Sequence, residues 1–329
     1  MKKYLTLLAA GTIFLAGCSK EPAPSEKETV ETITVCAGDP ETRTSLASDG
    51  INYTWSDGDI LYVADTKDIT HGSVDSPSSD NIAVFTLSSK SDDGKTATFA
   101  HTSGASIDAG STYVVLYSSA DWTGLDSKCG TGPLAGSENH LPYMIPATQT
   151  YVADGIDTET MPMFACTSDL SQFNVTCLGS ILRLRLYSST AKTVKSIAVS
   201  IPTPGSNYAI AGPCAITKTF YTTAVDKCFG PWASGRASST VTLDCGAGVT
   251  LSTDSSNPTV FNIVAGVQNR NDDSGYAGDS AGIKSESNRL LVTVTFDDKS
   301  TTSYSLTTLD GNAHTFVQNK VYKFAAKEI

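Results

Sequence analysis

The sequence is poor in charged residues, and basic residues are the scarcer kind. Charged side chains make up 17% of the 329 residues, with 23 Lys and Arg against 34 Asp and Glu and a formal net charge of −11. Nucleic-acid binding needs a basic surface that neutralises phosphates, so this charge disfavours that class of partner. Hydrophobic residues are nevertheless 40% of the chain. That fraction can fill a core, which argues against disorder along the whole chain.

Motifs of several enzyme and metal-binding classes are also lacking. There is no P-loop, no dinucleotide-binding fingerprint, no Cys-x-x-Cys pair and no His-Glu-x-x-His spacing. Ser280 lies in Gly-Asp-Ser-Ala-Gly, which matches the serine hydrolase pattern. That chemistry needs a buried strand directly before the serine and a helix after it, whereas the flanking residues here are polar. We therefore expect no enzymatic activity, no catalytic residues, no cofactor and no metal site.

Helical periodicity is missing as well. No stretch shows a sustained apolar stripe at the helical period. Segments rich in Val, Ile, Thr and Tyr alternate instead with clusters of Gly, Asp, Ser and Asn, which is typical of antiparallel strands and their turns. The sequence predicts an all-β protein with two consecutive sandwiches joined near residues 164–173, and a single large β-domain or jelly roll is the alternative.

Individual strands and loops can be predicted from period-two patterns and turn residues. Leu182, Leu184 and Leu186 face one way and Arg183 and Arg185 the other, which predicts a half-buried strand. Trp55 is expected in the core. The remaining predictions are an edge-like strand at residues 30–35, hairpins at 83–100 and 290–306, a central strand at 113–117 and a long loop at 129–145.

The N-terminus has the features of an export signal. Lys2 and Lys3 precede an apolar run at residues 4–17, which is shorter than the roughly 20 residues that span a bilayer but suits a signal peptide. The run ends in Leu-Ala-Gly-Cys, which resembles a bacterial lipobox with Cys18 as the acylated residue. We expect a signal peptide at residues 1–17 and a polar tether at residues 18–28.

The mature chain carries more net negative charge than the precursor and an odd number of remaining cysteines. Loss of two lysines with the signal peptide changes the net charge from −11 to −13. Such a body is repelled by an anionic membrane surface, so attachment is expected through the lipid alone. Of eight cysteines, seven remain beside Cys18, and no spacing selects a disulfide pairing. A mostly reduced set is favoured, with Cys177 and Cys245 in strand-like, apolar surroundings.

One region carries a recognisable family pattern. Thr-Arg-Thr-Ser-Leu at residues 42–46 and Tyr-Thr-Trp-Ser-Asp-Gly-Asp-Ile-Leu-Tyr-Val at residues 53–63 resemble the start of fimbrillin-family lipoproteins of Bacteroidetes. Lys-Thr-Ala-Thr-Phe at 95–99 and the segment 111–117 continue the pattern. The likeness covers the N-terminal half well. In the C-terminal half it rests on residues 173–187 and 319–324.

The resemblance implies a fold, a function and a processing site. It implies two transthyretin-like β-sandwiches, here residues 29–165 and 166–329, in a subunit of a cell-surface fimbrium that is built by β-strand addition. Carried onto this chain, residues 30–35 form a removable strand, Arg43 is the candidate cleavage site, and residues 314–329 are the candidate donor strand. The implied partners are other fimbrial subunits and the outer membrane, reached through the lipid on Cys18.

The stalk, tip and anchor roles remain open alternatives within this family. A second hypothesis is a lipid-anchored surface protein that never polymerises and binds glycans or host ligands. Trp122 lies in a loop-like context and is a candidate residue for a sugar platform in that case.

Overall fold

The computed structural model describes twelve parts of the chain, which together contain most of the predicted strands. They are residues 28–37, 41–42, 55–68, 79–117, 140–201, 210–217, 228–229, 238–266, 282–283, 290–306, 314–315 and 319–329. Within these ranges there is no α-helix, and no helix has the length and apolarity needed to cross a membrane. The described part of the protein is therefore almost entirely β-structure, as the sequence predicts.

The strands are numbered in chain order. They are β1 (Thr32–Ala37), β2 (Glu41–Thr42), β3 (Ile60–Asp65), β4 (Ala83–Lys90), β5 (Thr96–Gly104), β6 (Tyr113–Tyr117), β7 (His140–Ile145), β8 (Thr148–Thr150), β9 (Met163–Thr167), β10 (Phe173–Cys177), β11 (Ser180–Tyr187), β12 (Thr193–Ser200), β13 (Gly212–Thr217), β14 (Cys228–Phe229), β15 (Thr240–Thr250), β16 (Thr259–Ala265), β17 (Gly282–Ile283), β18 (Leu291–Phe296), β19 (Thr301–Ser305), β20 (His314–Thr315), β21 (Lys320–Lys323) and β22 (Lys327–Glu328). Three short 3-10 turns lie at Thr66–Asp68, Ser79–Asn81 and Thr158–Thr160.

Seven strands form a closed sheet. Their order is β1, β10, β9, β6, β3, β4, β5, and β5 pairs back onto β1. All neighbours in this sheet are antiparallel except β1 and β10, which run parallel. The predicted central strand, β6, lies between β3 and β9 with all five residues buried, so this prediction is confirmed.

The later part of the chain contributes two larger sheets in a sandwich-like arrangement. One has the order β16, β11, β21, β2, with β22 also paired to β11, and the other has the order β19, β18, β12, β15, β8. The smaller sheets are β14, β13, β7 and the pair β17, β20. The polypeptide leaves the closed sheet at β2, returns to it for β3 to β6, and leaves it again for β7 and β8. It returns once more for β9 and β10 before it enters β11.

The strand β10 continues almost directly into β11. Only Leu178 and Gly179 separate them, although β10 belongs to the closed sheet and β11 to the next one. A Cβ atom on Gly179 would lie 2.6 Å from Cγ1 of Val264 and 3.3 Å from the carbonyl oxygen of Ala265. The chain crosses between the two sheets where only glycine fits without movement of its neighbours.

Most sequence-based predictions for single elements are confirmed, and three are wrong. The hairpins appear as β4–β5 and β18–β19, and Trp55 is buried. Residues 140–145 were expected in a loop but form β7. Residues 30–35 were expected at an edge, yet β1 lies between two strands. Arg183 was expected on an open face but is buried, and its Nε donates a hydrogen bond to Oδ1 of Asn262 over 3.1 Å.

Candidate strand-acceptor site at the first strand

Strand β1 closes the seven-stranded sheet. Residues 32–36 pair antiparallel with β5, from Thr32 opposite Ala100 to Cys36 opposite Thr96. Residues 35–37 pair parallel with β10, with Val35 opposite Phe173. Without β1, β5 and β10 would each have one unpaired edge within the described part of the closed sheet.

The side chains of β1 follow the alternation of a strand with one face in the core. Ile33 and Val35 are 1% and 0% exposed, whereas Thr32 is exposed and Thr34 and Cys36 are half-buried. Alternate residues of a strand point to opposite faces, so the two apolar side chains enter the core together. β1 therefore supplies main-chain hydrogen bonds to two neighbours and fills two core positions.

Main-chain contacts extend along the residues just before β1. The amide of Val30 donates to the carbonyl of Ile107 over 2.8 Å, and the amide of His101 donates to the carbonyl of Glu31 over 2.9 Å. On the other side, the amide of Thr34 donates to the carbonyl of Leu170 over 3.2 Å. The paired segment thus begins before Thr32. The slot between β5 and β10 that β1 occupies is therefore longer than β1 itself.

The polypeptide leaving β1 next contacts a different sheet. In β2, Glu41 and Thr42 pair parallel with Lys320 and Val321 of β21. The candidate cleavage residue Arg43 directly follows β2 and lies outside the described residues, as do Cys18, Ser280 and Trp122. A cut after Arg43 would separate both β1 and β2 from the rest of the chain.

The candidate donor segment is part of a sheet within its own chain. β21 pairs parallel with β11, with Val321 opposite Ile181, and β22 continues alongside β11. Val321, Tyr322 and Phe324 are buried. The amide of Ile329 donates to the carbonyl of Tyr187 over 2.9 Å.

The carboxylate of Asp59 is buried directly before β3 of the closed sheet. Asp59 is 7% exposed, accepts a 2.7 Å hydrogen bond from the amide of Ser56, and accepts a 3.0 Å bond from the hydroxyl of Tyr117. Burial raises the pKa of Asp59 above its usual value, and the two hydrogen bonds oppose that shift. These two hydrogen bonds stabilise the turn that leads into β3, so Asp59 has a structural role.

The described cysteines are mostly shielded from solvent. Cys177, Cys214 and Cys245 are buried, and Cys36 and Cys166 are half-buried. Burial raises the pKa of the Cys166 thiol, and burial together with the neighbouring Asp244 raises the pKa of Cys245 to about 12. In the part of the chain that the structure describes, no three His, Cys, Asp or Glu side chains are grouped so that they could hold a metal ion.

The chain is similar to solved structures but to no family model and no curated protein. The solved structures that resemble it are fimbrial proteins and proposed cell adhesion proteins from Bacteroidetes. A proposed cell adhesion protein from Bacteroides uniformis has a TM-score of 0.44 and 10% identity, with 93% of this chain and 94% of the other covered.

Two further matches are fimbrial proteins. The tip fimbrial protein Mfa3 from Porphyromonas gingivalis, with a C-terminal truncation, has a TM-score of 0.32 and 9% identity over 89% of this chain and 94% of that one. A fimbrial assembly protein from Parabacteroides distasonis has a TM-score of 0.30 and 10% identity over 84% of this chain and 99% of that one. They are of the class that the sequence resembles.

Proposed function

We propose that the protein is a structural subunit, in the stalk, tip or anchor, of a cell-surface fimbrium that is assembled by β-strand addition and contributes to adhesion. The observation that supports this proposal is the placement of β1, which closes the first sheet and has both edges paired. Removing such a strand leaves an elongated slot with hydrogen-bonding groups on both sides. A strand from another subunit can fill that slot with main-chain bonds and alternate apolar side chains.

Membrane attachment in this proposal depends on the lipid. Residues 1–17 are removed as a signal peptide, Cys18 is acylated, and residues 18–28 tether the folded part to the outer membrane. The net charge of −13 after loss of Lys2 and Lys3 gives the folded part no attraction to an anionic surface. The precursor is thus held by its acyl chains while it awaits assembly.

Activation follows from a cut after Arg43. The cut breaks the covalent link between β1 and the rest of the chain. Departure of β1 from β5 and β10 then opens the slot that Ile33 and Val35 fill. An open slot is an exposed edge prone to wrong pairing, so retention of β1 until assembly protects the subunit. Residues 314–329 of a neighbouring subunit are the donor, and head-to-tail addition of this kind does not close, so a fibre grows.

The proposal includes two consecutive transthyretin-like sandwiches, residues 29–165 and 166–329, without catalytic or cofactor sites. Strand β9 (Met163–Thr167) runs across the boundary between these ranges, and β10 also pairs within the closed sheet. The closed sheet therefore continues past residue 165 to Cys177, and strand pairing favours a boundary near Gly179 instead.

Substitution of Arg43 tests the proposal on intact cells. We expect the wild-type protein on the surface to begin at Thr44 and to form ladders that resist SDS. Arg43→Ala should keep acylated Cys18 as its N-terminus and abolish the ladders, because β1 then stays in place. Arg43→Lys is the matched control, since it keeps the positive charge but removes the site of an arginine-specific protease.

The same experiment distinguishes the alternative function. Ladders that persist in both variants would contradict processing at Arg43. A wild-type surface protein that keeps Cys18 and forms no ladder would instead favour an anchor or a non-polymerising ligand-binding protein. For that outcome, glycan binding that is lost in Trp122→Ala would identify the ligand-binding alternative.

A further inference from the structure

Residues 327–329, which we call the strap, bury little apolar surface. Both residues of β22 are exposed, and they pair with Leu186 and Tyr187 of β11. Ile329, the next residue, is half-buried and packs against the core. Segments with few buried apolar contacts open locally at low free energy. Apolar burial alone therefore gives the strap only a weak hold on β11.

A lysine of the opposite sheet makes a second contact with the strap. Nζ of Lys192 donates a hydrogen bond to the main-chain oxygen of Ile329 over 3.1 Å. The amide of Ile329 donates to the carbonyl of Tyr187 over 2.9 Å. Both main-chain polar groups of Ile329 are thus bonded, one to β11 and the other to the lysine. A hydrogen bond from a charged donor is stronger than one between neutral groups.

Lys192 is itself held in place on its own sheet. It directly precedes β12, and its carbonyl accepts a 2.9 Å hydrogen bond from the amide of Leu251. Its Nζ lies 4.8 Å from the ring centre of Phe296 in β18, which is 3% exposed. The face of an aromatic ring attracts a cation, so this contact orients the ammonium. The lysine thus connects the sheet of β12 and β18 to the strap on β11.

Opening of this part of the chain should begin at the strap. Upstream of it, Val321, Tyr322 and Phe324 are buried. The amide of Phe324 donates to the carbonyl of Arg183 over 3.2 Å. These residues stay docked when the strap detaches, because local opening occurs first where the least apolar surface is buried. A contact on the strap therefore acts on the first step of opening.

We propose that Lys192 is a latch, whose ammonium holds the strap on β11 and sets how readily the strap opens. The strap belongs to the candidate donor segment, residues 314–329. A donor must leave its own fold to reach a neighbouring subunit, so the latch regulates that release. This regulatory role rests on the proposed function, whereas the hold on the strap does not.

Hydrogen exchange at single amides tests the latch in the full-length chain carrying Cys18→Ser, which removes the acylation site. Exchange at the Ile329 amide should accelerate at least about tenfold in Lys192→Met, because the strap loses a charge-assisted hydrogen bond. Exchange at the Phe324 amide should not change. Lys192→Arg keeps a cationic donor and should remain close to wild type.

Lys195 offers a matched control. Its Nζ donates to the main-chain carbonyls of Gly246 and Ala247 over 3.2 Å and 2.8 Å, so it also bonds main-chain oxygens. Both carbonyls belong to β15 rather than to the strap. Lys195→Met should therefore leave exchange at the Ile329 amide unchanged.

A measurement on the wild type keeps the test decisive if Lys192→Met does not fold. In its NMR spectrum, the ring current of Phe296 should shift the Cε protons of Lys192 upfield from those of the exposed Lys299. The ammonium protons of Lys192 should also exchange with water more slowly. If both properties match those of Lys299, Lys192 is not held and the proposal is wrong.

Two exchange results would also overturn the latch. One is unchanged exchange at the Ile329 amide in a folded Lys192→Met protein. The other is equal acceleration at the Ile329 and Phe324 amides, because the whole sheet would then open instead of the strap.

Ladder formation on intact cells separates the latch from the fimbrial proposal. With Cys18 present, Lys192→Met should form SDS-resistant ladders faster than the wild type, because the donor segment leaves more easily. Faster exchange at Ile329 without ladders in either protein would support the latch and contradict the fimbrial function. Faster exchange with ladders that form at equal rates would overturn the regulatory role.

Discussion

The first and the last strands of the chain run along the same stretch of polypeptide. β1 is parallel to β10, and β21 and β22 are parallel to β11, which follows β10 after two residues. β1 pairs with β5 over residues 32–36 and with β10 over residues 35–37. Among the described residues, the outer edge of β21 pairs only with the two-residue strand β2. Both residues of β22 are exposed. Two similar segments thus differ in how completely the fold encloses them.

In the fimbrial proposal, the enclosed strand and the position of the cut are separate features of the chain. β1 is deeply built in, yet the polypeptide that leaves it reaches Arg43 within a few residues of its end. The last strands are built in less completely, because β2 pairs with only two residues of β21 among the described residues. In the fimbrial proposal, a strand of the first kind needs a covalent cut to leave, whereas one of the second kind needs only to exchange partners.

The largest effect is expected inside β1. Ile33→Ala should lower the free energy of unfolding by about 2–5 kcal/mol, because the side chain is 1% exposed and its loss leaves a cavity. Thr32→Ala, at the exposed neighbouring position, should change it by less than about 0.5 kcal/mol. Urea unfolding of both proteins measures the difference. Equal and small effects would mean that β1 is no better enclosed than the last strands.

An intermediate effect is expected at Gly179, where β10 of the closed sheet passes into β11. Gly179→Ala should cost about 1–3 kcal/mol, because the new methyl group would overlap Cγ1 of the buried Val264. Gly155→Ala is the control, since its Cβ would meet chiefly the exposed side chain of Val152, at 3.1 Å. Thermal unfolding of the two variants distinguishes them. If the Gly179→Ala protein is as stable as the Gly155→Ala protein, the residues around Gly179 can move to accept a methyl group at little cost.

The smallest effect is expected in the last strand. Nζ of the exposed Lys327 lies 5.8 Å from the ring centre of the half-buried Tyr304, which is a cation–π contact. Lys327→Ala should therefore lower the free energy of unfolding by no more than about 1 kcal/mol. Lys327→Arg, which keeps the cation, should be close to wild type in the same urea titration. A decrease in the free energy of unfolding above about 2 kcal/mol would mean that the last strand contributes as much to stability as β1 does.

What the sequence predicts well is the apolar face of a strand and the position of a turn. Leu182, Leu184 and Leu186 are all buried as predicted, although Arg183 between them is buried too. The turns of the two hairpins are where Gly, Asp and Lys mark them. β7 was missed because Pro142 lies inside it, and proline argues against a paired strand in the middle of a sheet. Its partner β13 follows some seventy residues later, which no local signal reveals.

Partner choice over long distances is what the sequence cannot supply. The apolar alternation of Ile33 and Val35 indicates one buried face, but nothing in it shows that β5 and β10 would both pair with β1. The burial of Gln149, which is 2% exposed, is hidden for the same reason. A polar residue between two threonines suggests an exposed strand, whereas its amide is buried because Val264, 115 positions away, needs a donor and an acceptor.

The crossing at Gly179 has a mechanical consequence. Because β10 and β11 are nearly one strand, tension along residues 173–187 passes from the first sheet to the second through a single stretch of covalent backbone. The flanking strands β9 and β16 run antiparallel to it and β1 and β21 run parallel. Their hydrogen bonds lie across the direction of pull, so they are loaded in shear and share the force, instead of opening one after another as in a zipper.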